Sequence, residues 1–308
     1  MNEYKISVII PVRNGANKIE RCIEGVLSQS LKPHEVIIVD GHSDDDTIER
    51  AKKFPVKILF EDYHTRAGAC QVGIEHTEGD YIAFTDSDCI PDKEWLANLA
   101  TELKGGIAGV GGSIKSIGED FWIHSINLAY STFLGSANSV QGRTFKDRRF
   151  VNSISGCNSI YHKRDLLMAG GFKTRLPGAE DADLNSRLLK IGKLVYVPQA
   201  IIYHDHGRGL KDFAKQMFRY GIDRGVARKF ALQTVPPLLL PLVFLSLILN
   251  LWILPSLFAL YILVLLGVGL RFAVREKDIK YIFSIPVVFV VEHSLYSLGF
   301  WRGLVIRK

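Results

Sequence analysis

Two aspartates separated by one residue are the residues of this sequence best suited to chemistry. Asp86 and Asp88 follow Tyr81–Phe84, a short apolar run that predicts a buried strand. Two carboxylates at a strand end supply hard oxygen ligands, which suit Mg2+ or Mn2+ rather than Zn2+. A cation held in this way keeps open positions for a diphosphate, whose charge it neutralises as the diphosphate leaves. Aspartate-rich turns without a function are also common, so the pair needs support from the rest of the chain.

The elements around this pair predict a sheet that collects polar residues at one edge. Apolar β-rich runs alternate with helical patterns across short loops, which is typical of a largely parallel, Rossmann-like α/β sheet. Such sheets bind ligands at the carboxyl ends of their strands. Polar residues follow each of the first four predicted strands: Arg13 and Asn14, then Asp40, then Glu61 and Asp62, then Asp86 and Asp88. Ser43 is expected to cap the helix after the second strand, and the lack of a GxGxxG segment argues against a nicotinamide or flavin enzyme.

Two further polar groups lie downstream. Glu180 and Asp181 occupy the first turn of a helix predicted over residues 178–191, where they could cap the helix or take part in chemistry. A His-Asp-His triplet that ends at His206 follows a strand-like segment. It could cover a diphosphate, or His206 could supply another metal ligand.

The order of four segments in this chain resembles glycosyltransferase family 2. The segments are Val8–Asn14, Val39–Asp45, Thr85–Asp88 and the pair Glu180-Asp181, and the resemblance covers residues 5–230. It implies the GT-A fold, a Rossmann-like mixed α/β sheet flanked by helices. It also implies transfer of a sugar from a nucleotide sugar with inversion of the anomeric centre.

The resemblance assigns donor contacts to residues at the strand ends. Pro11, Arg13 and Asn14 would line the nucleotide pocket, and Asp40 would accept a hydrogen bond from the base. Asp86 would contact the ribose or the metal. The donor implied is a nucleotide-diphosphate sugar of the UDP or GDP type.

The resemblance also implies a divalent cation and a catalytic base. Asp88 would bind Mn2+ or Mg2+ through the diphosphate, with Asp86 beside it. Asp181, paired with Glu180, would deprotonate an acceptor hydroxyl as that hydroxyl attacks the anomeric carbon. His206 is a further candidate metal ligand because of its place after a strand.

The sequence departs from the family where many relatives have Ala-Arg-Asn ahead of the strand that carries the two aspartates. The residues here are Ala69, Cys70 and Gln71. Gln71 can still form a hydrogen bond with the donor, whereas the arginine is missing at Cys70. We expect Arg66 to substitute for it, so that Arg66→Ala would lose donor affinity and remain folded.

Residues expected on the acceptor side lie in two later segments. Gly156 and Asn158 belong to a stretch that bridges donor and acceptor in the family, although its glycines could equally be turn residues. Gln216, Arg219 and Tyr220 lie on a basic amphipathic helix and resemble the QxxRW-like signature of processive relatives. Because tyrosine replaces the tryptophan, processivity is not implied. This helix is expected to lie at a membrane surface, near headgroups or a lipid-linked diphosphate.

An uncharged stretch of forty residues, 231–270, predicts membrane-spanning helices. One span needs about 20 residues, so we expect two helices over 235–252 and 255–270. A third apolar segment over 281–301 contains Glu292 and His293, and it is expected to span although it could lie at the interface. The predicted organisation is a catalytic domain, 1–207, an interfacial helix, 208–230, and a membrane domain, 231–308.

Charge and cysteine content narrow the partners and the compartment. The net charge of +6 is attributed to Lys and Arg beside the membrane, and not to nucleic-acid binding, because no recognition helix or aromatic platform accompanies it. Basic residues before the first span and again over 271–280 predict a multi-pass protein of the cell membrane whose catalytic domain faces the cytoplasm. The four cysteines have no metal-ligand spacing in the sequence and predict reduced thiols.

Three functions are compatible with these residues. The favoured one is transfer of a sugar to a polyprenyl-linked saccharide during polysaccharide or glycan assembly, since Tyr296–Gly303 is similar to the succinoglycan-biosynthesis type of family 2 enzyme. The alternative is a polyprenyl-phosphate sugar synthase, in which the acceptor is the phosphate itself. The third is a non-catalytic membrane scaffold that binds a nucleotide, which the set of acidic residues disfavours.

Overall fold

The computed structural model of the chain divides into two compact units. One comprises Met1–Ile117 and Ser139–His206, and the other comprises Gly118–Asn138 and Gly207–Lys308. The structure describes residues 4–118, 120–136, 144–176, 178–205, 209–226, 242, 245, 246, 248, 249 and 253–306. The sequence-based boundary after residue 207 therefore differs from the structure in one respect, because residues 118–138 group with the C-terminal helices.

The first unit is built on a nine-stranded mixed sheet. The strands are β1 Ile6–Val12, β2 Glu35–Asp40, β3 Lys57–Phe60, β4 Tyr81–Phe84, β5 Cys89–Pro91, β6 Ile107–Ile117, β7 Arg149–Val151, β8 Ser159–His162 and β9 Lys193–Asp205. Their order is β3-β2-β1-β4-β8-β6-β9-β5, with β7 also paired to β9. The first four strands in this order are parallel, whereas β8 is antiparallel to both of its neighbours. The predicted mixed α/β sheet is confirmed.

Helices cover both faces of this sheet. They are α1 Ile19–Leu27, α2 Thr47–Ala51, α3 Arg66–Glu75, α4 Trp95–Ala100, α7 Lys163–Met168 and α8 Glu180–Leu188. Val8 and Ile10 of β1 pack in one apolar cluster with Ile23 of α1, and the intervening Ile9 packs in a second cluster with Ile74 of α3. A strand buried on both faces needs apolar residues at successive positions, which explains the run that begins the chain. The parallel strands are thereby fixed, with their carboxyl ends at one edge.

The second unit is helical. Its helices are α5 Phe121–Tyr130, α6 Phe133–Ser136, α9 Leu210–Val226, α10 Ile253–Glu276 and α11 Tyr281–Val305. Within the described residues, Ser256–Glu276 and Tyr281–Val305 are long and apolar enough to cross a membrane. They contain most of the predicted segment 255–270 and all of 281–301, whereas the predicted segment 235–252 lies mostly outside the described residues. Leu257 and Leu263 of α10 are more than half exposed, which leaves an apolar surface that needs an apolar environment.

Helices α9 and α11 meet through four glycines. Gly221 and Gly225 of α9 face Gly299 and Gly303 of α11, and a Cβ atom on Gly221 would lie 2.8 Å from the backbone nitrogen of Phe300. Glycines spaced four residues apart let two helix backbones approach this closely, as in membrane helix pairs. The basic helix predicted from the sequence is thus packed against α11 along one side.

Candidate active site

The loops after β1 and β2 are joined by hydrogen bonds at the carboxyl edge of the sheet. The backbone N–H of Asn14 donates to Ser43 Oγ at 2.8 Å, and Asn14 Oδ1 accepts from the N–H of Asp44 at 3.0 Å. Ser43 in turn donates its N–H and its hydroxyl to the Asp40 carboxylate, at 2.8 and 2.5 Å. Asp40 is completely buried. The carboxylate assigned to the nucleotide base is therefore held in one orientation before any ligand binds.

Ser43 does not cap the next helix, contrary to the prediction. Helix α2 begins at Thr47, and its N-cap residue Asp46 makes no capping hydrogen bond through its side chain. Ser43 is turned toward the sheet because Asp40 accepts two hydrogen bonds from it. Of the other residues assigned to the nucleotide pocket, Pro11 is buried within β1 and Arg13 is exposed at its end.

Arg66 lies at the centre of a cluster of carboxylates. It is the first residue of α3, a helix that Thr65 caps by accepting a hydrogen bond from the N–H of Gly68. Arg66 Nε donates to Asp86 Oδ1 at 2.8 Å, and Nη1 lies 3.2 Å from Glu180 Oε1 and 3.4 Å from Asp181 Oδ1. Burial alone would lower the pKa of Arg66, but these neighbouring carboxylates raise it well above its ordinary value. The guanidinium therefore stays charged and links the two acidic motifs.

Asp181 has the electrostatic character of a general base. Its Oδ2 accepts a hydrogen bond from the N–H of Gly156 at 2.9 Å. Burial raises the pKa of Asp181 to about 7; Arg66 opposes this shift and Glu180 adds to it. A carboxyl group with a pKa near neutrality exchanges protons efficiently at physiological pH.

Gly156 is required by the close approach of this cluster. A Cβ atom at Gly156 would collide with the Asp181 carboxylate and would lie 2.7 Å from Arg66 Nη1. The structure thus brings Gly156, which the sequence assigned to the acceptor side, directly against the candidate base.

Asp88 is paired with His204. His204 lies on β9 opposite Cys89 of β5, and its Nε2 is 3.0 Å from Asp88 Oδ1. Burial lowers the pKa of His204, but the hydrogen bond with Asp88, the neighbouring Cys157 and the charges of Asp88 and Asp86 together outweigh burial and raise the pKa to about 9. The predicted metal ligand His206 lies outside the described residues. Residues two apart share a face of a strand, so the sequence could not decide which histidine of the triplet lies beside Asp88.

A match to a known family covers the part of the chain that carries Arg66, Asp86 and Asp88. Residues 7–166 match the family model of glycosyl transferase family 2. The chain belongs to this family. It is a membrane-associated glycosyltransferase, as its two long apolar helices and its relatives together indicate.

Several known glycosyltransferases are similar over much of the chain. A Methanococcus voltae enzyme, named dolichyl N-acetyl-alpha-D-glucosaminyl phosphate 3-beta-D-2,3-diacetamido-2,3-dideoxy-beta-D-glucuronosyltransferase, is 28% identical over 97% of each chain. An Escherichia coli enzyme, named UDP-Glc:alpha-D-GlcNAc-diphosphoundecaprenol beta-1,3-glucosyltransferase, is 30% identical over 54% of this chain and 69% of its own length. A mannosyltransferase from Pyrobaculum calidifontis, solved with GDP-Man and Mn2+, has a TM-score of 0.68 at 16% identity, over 99% of this chain and 88% of that one. The last comparison shows a common fold.

The oxygen atoms available as metal ligands in this glycosyltransferase fit a divalent cation. The carboxylates of Asp86 and Asp88 are each about one quarter exposed, so a cation can reach them from solvent. With Glu180 and Asp181 they make four carboxylates, against one guanidinium and one imidazole. The remaining excess of negative charge and the oxygen ligands both suit Mn2+ or Mg2+.

Two of the predicted site residues of the glycosyltransferase have other partners in the structure. Gln71 Oε1 accepts a hydrogen bond from the N–H of Phe172, and its Nε2 donates to Glu75, both at 2.9 Å. Asn158 is completely buried: its amide donates to two carbonyls, and its Oδ1 accepts from Trp95 Nε1 at 2.8 Å. These contacts give Asn158 a role in the core and do not support its assignment to the acceptor.

The remaining predicted acceptor residues belong to the helical unit. On α9, Arg219 and Tyr220 are exposed, and Gln216 donates a hydrogen bond to the Tyr220 hydroxyl at 2.8 Å. Phe213 and Met217 of the same helix are buried. The polar face predicted for α9 is thus present, and its contact with an acceptor stays a prediction.

Proposed function

We propose that this family 2 enzyme transfers one sugar from a nucleotide-diphosphate donor to a polyprenyl-linked saccharide, with inversion at the anomeric carbon. The observation that carries the proposal is that Arg66 joins Asp86 to Asp181 at the carboxyl edge of the parallel strands, with Asp88 two residues after Asp86. Ligands of open α/β sheets bind at this edge. Asp86, one of the two proposed metal ligands, thus lies in one cluster with the Arg66 guanidinium and with Asp181, the proposed base, whose pKa is near neutrality.

In this proposal Asp181 is the general base of a single displacement. Its carboxylate takes the proton of an acceptor hydroxyl while the hydroxyl oxygen forms a bond to the anomeric carbon. The bond from that carbon to the diphosphate breaks on the opposite side, and this geometry inverts the configuration. The pKa of Asp181, about 7, supports the assignment because half of the protein then carries the basic form near neutral pH.

The donor site would extend from Arg13 and Asn14, past Asp40, to Arg66. Asp86 and Asp88 would hold Mn2+ or Mg2+, which when bound would neutralise the charge of the departing diphosphate. Arg66 would orient Asp86 and stay charged beside it. A UDP or GDP sugar is the expected donor, since one relative is named for UDP-Glc and one neighbour was solved with GDP-Man and Mn2+.

The membrane location supports a lipid-linked acceptor. Two relatives are named for dolichyl and undecaprenyl carriers, and the helical unit has two apolar helices that could span a bilayer. We propose a multi-pass protein whose catalytic unit faces the cytoplasm. With the segment predicted over 235–252 as a further span, residues 271–280 return to the side of the catalytic unit, and they carry Arg271, Arg275, Lys277 and Lys280 at the end of α10 and in the turn after it. Arg219 and Tyr220, exposed on α9, are the proposed contacts for the acceptor diphosphate.

The proposal is tested by thermal unfolding of the detergent-solubilised protein with UDP, GDP, CDP and dTDP sugars, each with and without Mn2+. We expect one nucleotide to stabilise the protein in the presence of the metal, by about 2.7 kcal/mol at a hundredfold excess over Kd. Asp88→Asn should abolish the stabilisation. Asp92→Asn is the matched control, because the Asp92 carboxylate is not assigned to the metal and accepts a hydrogen bond from the N–H of Glu94. An equal response in Asp88→Asn, or no response to any nucleotide, would contradict the proposed donor site.

A further inference from the structure

Two buried cysteines and a histidine come together beside Asp88, one of the two proposed metal ligands. Cys89 Sγ, Cys157 Sγ and a ring nitrogen of His204 lie within 4.8 Å of one another. Strand pairing explains part of this arrangement, because Cys89 of β5 is the register partner of His204 of β9. Cys157 lies just before β8, next to Gly156. The sequence separates these residues widely, so their spacing gave no sign of a ligand set.

Asp88 completes a set of four potential ligands. Its Oδ1 is 3.0 Å from His204 Nε2 and 3.9 Å from Cys89 Sγ. Tetrahedral zinc with bonds of about 2.0–2.3 Å places its ligand atoms roughly 3.3–3.8 Å apart. The distances between the three ligand atoms of Cys89, Cys157 and His204 need to shorten by no more than roughly 1.5 Å to reach that separation.

The chemistry of this set differs from that of the neighbouring catalytic cluster. Thiolate and imidazole are soft or borderline ligands, which favour Zn2+ and Cd2+ over Mn2+ and Mg2+. Cys89 and Cys157 are almost completely buried, whereas Asp88 is partly exposed. A cation would therefore enter past Asp88 and be bound by sulfur on the inner side.

We propose that Cys89, Cys157 and His204, together with Asp88, bind one thiophilic divalent cation such as Zn2+, and that this cation competes with the hard cation of the donor site. Competition follows because both cations require the same carboxylate. Zinc binding would also withdraw His204 from its hydrogen bond with Asp88. Zinc bound at this site would thus inhibit binding of the nucleotide sugar.

The first test measures metal binding alone. The reduced, metal-free, full-length protein in detergent is titrated with Cd2+, and sulfur-to-metal charge-transfer absorption is recorded. We expect one equivalent to bind with the absorption of two thiolates, and Cys157→Ser to lose about half of that absorption and at least tenfold in affinity. Cys22→Ser is the matched control, since Cys22 is equally buried but bonds to the carbonyl of Asp86 and lies outside the set. Thermal unfolding without metal verifies that each variant is folded.

The second test measures competition. The nucleotide sugar that stabilises the protein in the thermal-unfolding test above is used, and its Mn2+-dependent stabilisation is measured with and without one equivalent of Zn2+. We expect zinc to remove the stabilisation in the wild type and to leave it in a Cys89→Ala, Cys157→Ala double variant. Only this second test depends on the proposed function, because charge-transfer absorption needs no nucleotide.

Three results would overturn the inference. One is the absence of charge-transfer absorption in the wild type, and another is equal absorption in the double variant. The third is a disulfide between Cys89 and Cys157 in the protein purified without reductant, seen as the loss of two thiol hydrogens by mass spectrometry. That result would assign the pair to redox chemistry and not to a metal.

Discussion

The sheet unit and the helical unit differ in what their key positions require. In the sheet unit, Arg66 is held between Asp86, Glu180 and Asp181, so the site depends on charge. In the helical unit, α9 and α11 meet through glycines, so the contact depends on the absence of side chains. Changes of charge at constant shape should therefore disable the first unit and leave it folded, whereas added atoms should disrupt the second.

The largest effect is expected from removing the candidate base. Asp181→Asn keeps the shape of the side chain but cannot accept the proton, so kcat for sugar transfer should fall by about 10²–10⁴-fold. The measurement is initial transfer rate at saturating donor, with the unfolding temperature as the test of folding.

Asp183→Asn is the control for this change. Asp183 lies on the same helix but pairs with Lys173 and Arg187, away from Arg66. We expect a near-normal rate from it. A near-normal rate in Asp181→Asn as well would contradict the base assignment and would favour the alternative in which an ionised polyprenyl phosphate is the acceptor.

The next effect concerns the pH dependence of the reaction. Because the base must be deprotonated, the rate should rise with pH through about 7, the pKa of Asp181. Arg66 lowers that pKa. In Arg66→Gln the rising limb should therefore move to higher pH by roughly 1–3 units, and the donor should bind more weakly.

Arg187→Gln provides the comparison for the pH profile. Arg187 pairs with Asp183 and is not in contact with Asp181 in the described residues. In Arg187→Gln the rising part of the pH–rate profile should stay near pH 7. If the pH at which the rate rises is unchanged or lower in Arg66→Gln, a group other than Asp181 controls the rate.

A smaller effect, on stability, is expected in the helical unit. Gly299→Leu places a side chain against the backbone carbonyl of Phe218 on α9 and should lower the free energy of unfolding by about 1–3 kcal/mol. Gly267→Leu makes the same change on α10, where a Cβ atom has no described neighbour within 4 Å. Thermal unfolding in detergent compares the two. Equal unfolding temperatures would contradict the glycine contact between α9 and α11.

The smallest effect is expected at the nucleotide loops. Ser43→Ala removes one hydrogen bond to Asp40 and the acceptor for Asn14 N–H. We expect the donor Kd to rise about fivefold, equivalent to about 1 kcal/mol. Ser30→Ala is the control. It also removes a hydrogen bond from a serine hydroxyl to a carboxylate, that of Glu94, and should leave the donor Kd unchanged. Equal Kd values for both variants would show that Ser43 does not prepare Asp40.

The parallel half of the sheet was predictable because its signals are local. Each of the first four strands is a short apolar run followed at once by a polar residue, so the strand-end positions of Asp40 and Asp86 follow from the sequence alone. The expectation that Arg66 lies near the donor motifs agrees with its contact to Asp86. Its bonds to Glu180 and Asp181 were not predicted, because they join residues more than a hundred positions apart.

The remaining features depend on pairings that no local pattern reveals. The choice between His204 and His206 requires the register of β5 against β9. Asn158 resembles a site residue in the sequence, yet its amide is used inside the core. Ser43 looks like a helix cap, but the carboxylate of Asp40 competes successfully for its hydrogen bonds.

The most direct test of the central claim is mass spectrometry of lipid products. The purified protein is incubated with Mn2+, a panel of UDP and GDP sugars, and a polyprenyl-linked saccharide extract, in parallel with Asp181→Asn. We predict a lipid heavier by one sugar residue in the wild-type reaction and almost none with the variant. Donor hydrolysis at equal rates in both proteins, with no glycosylated lipid in either, would contradict the account.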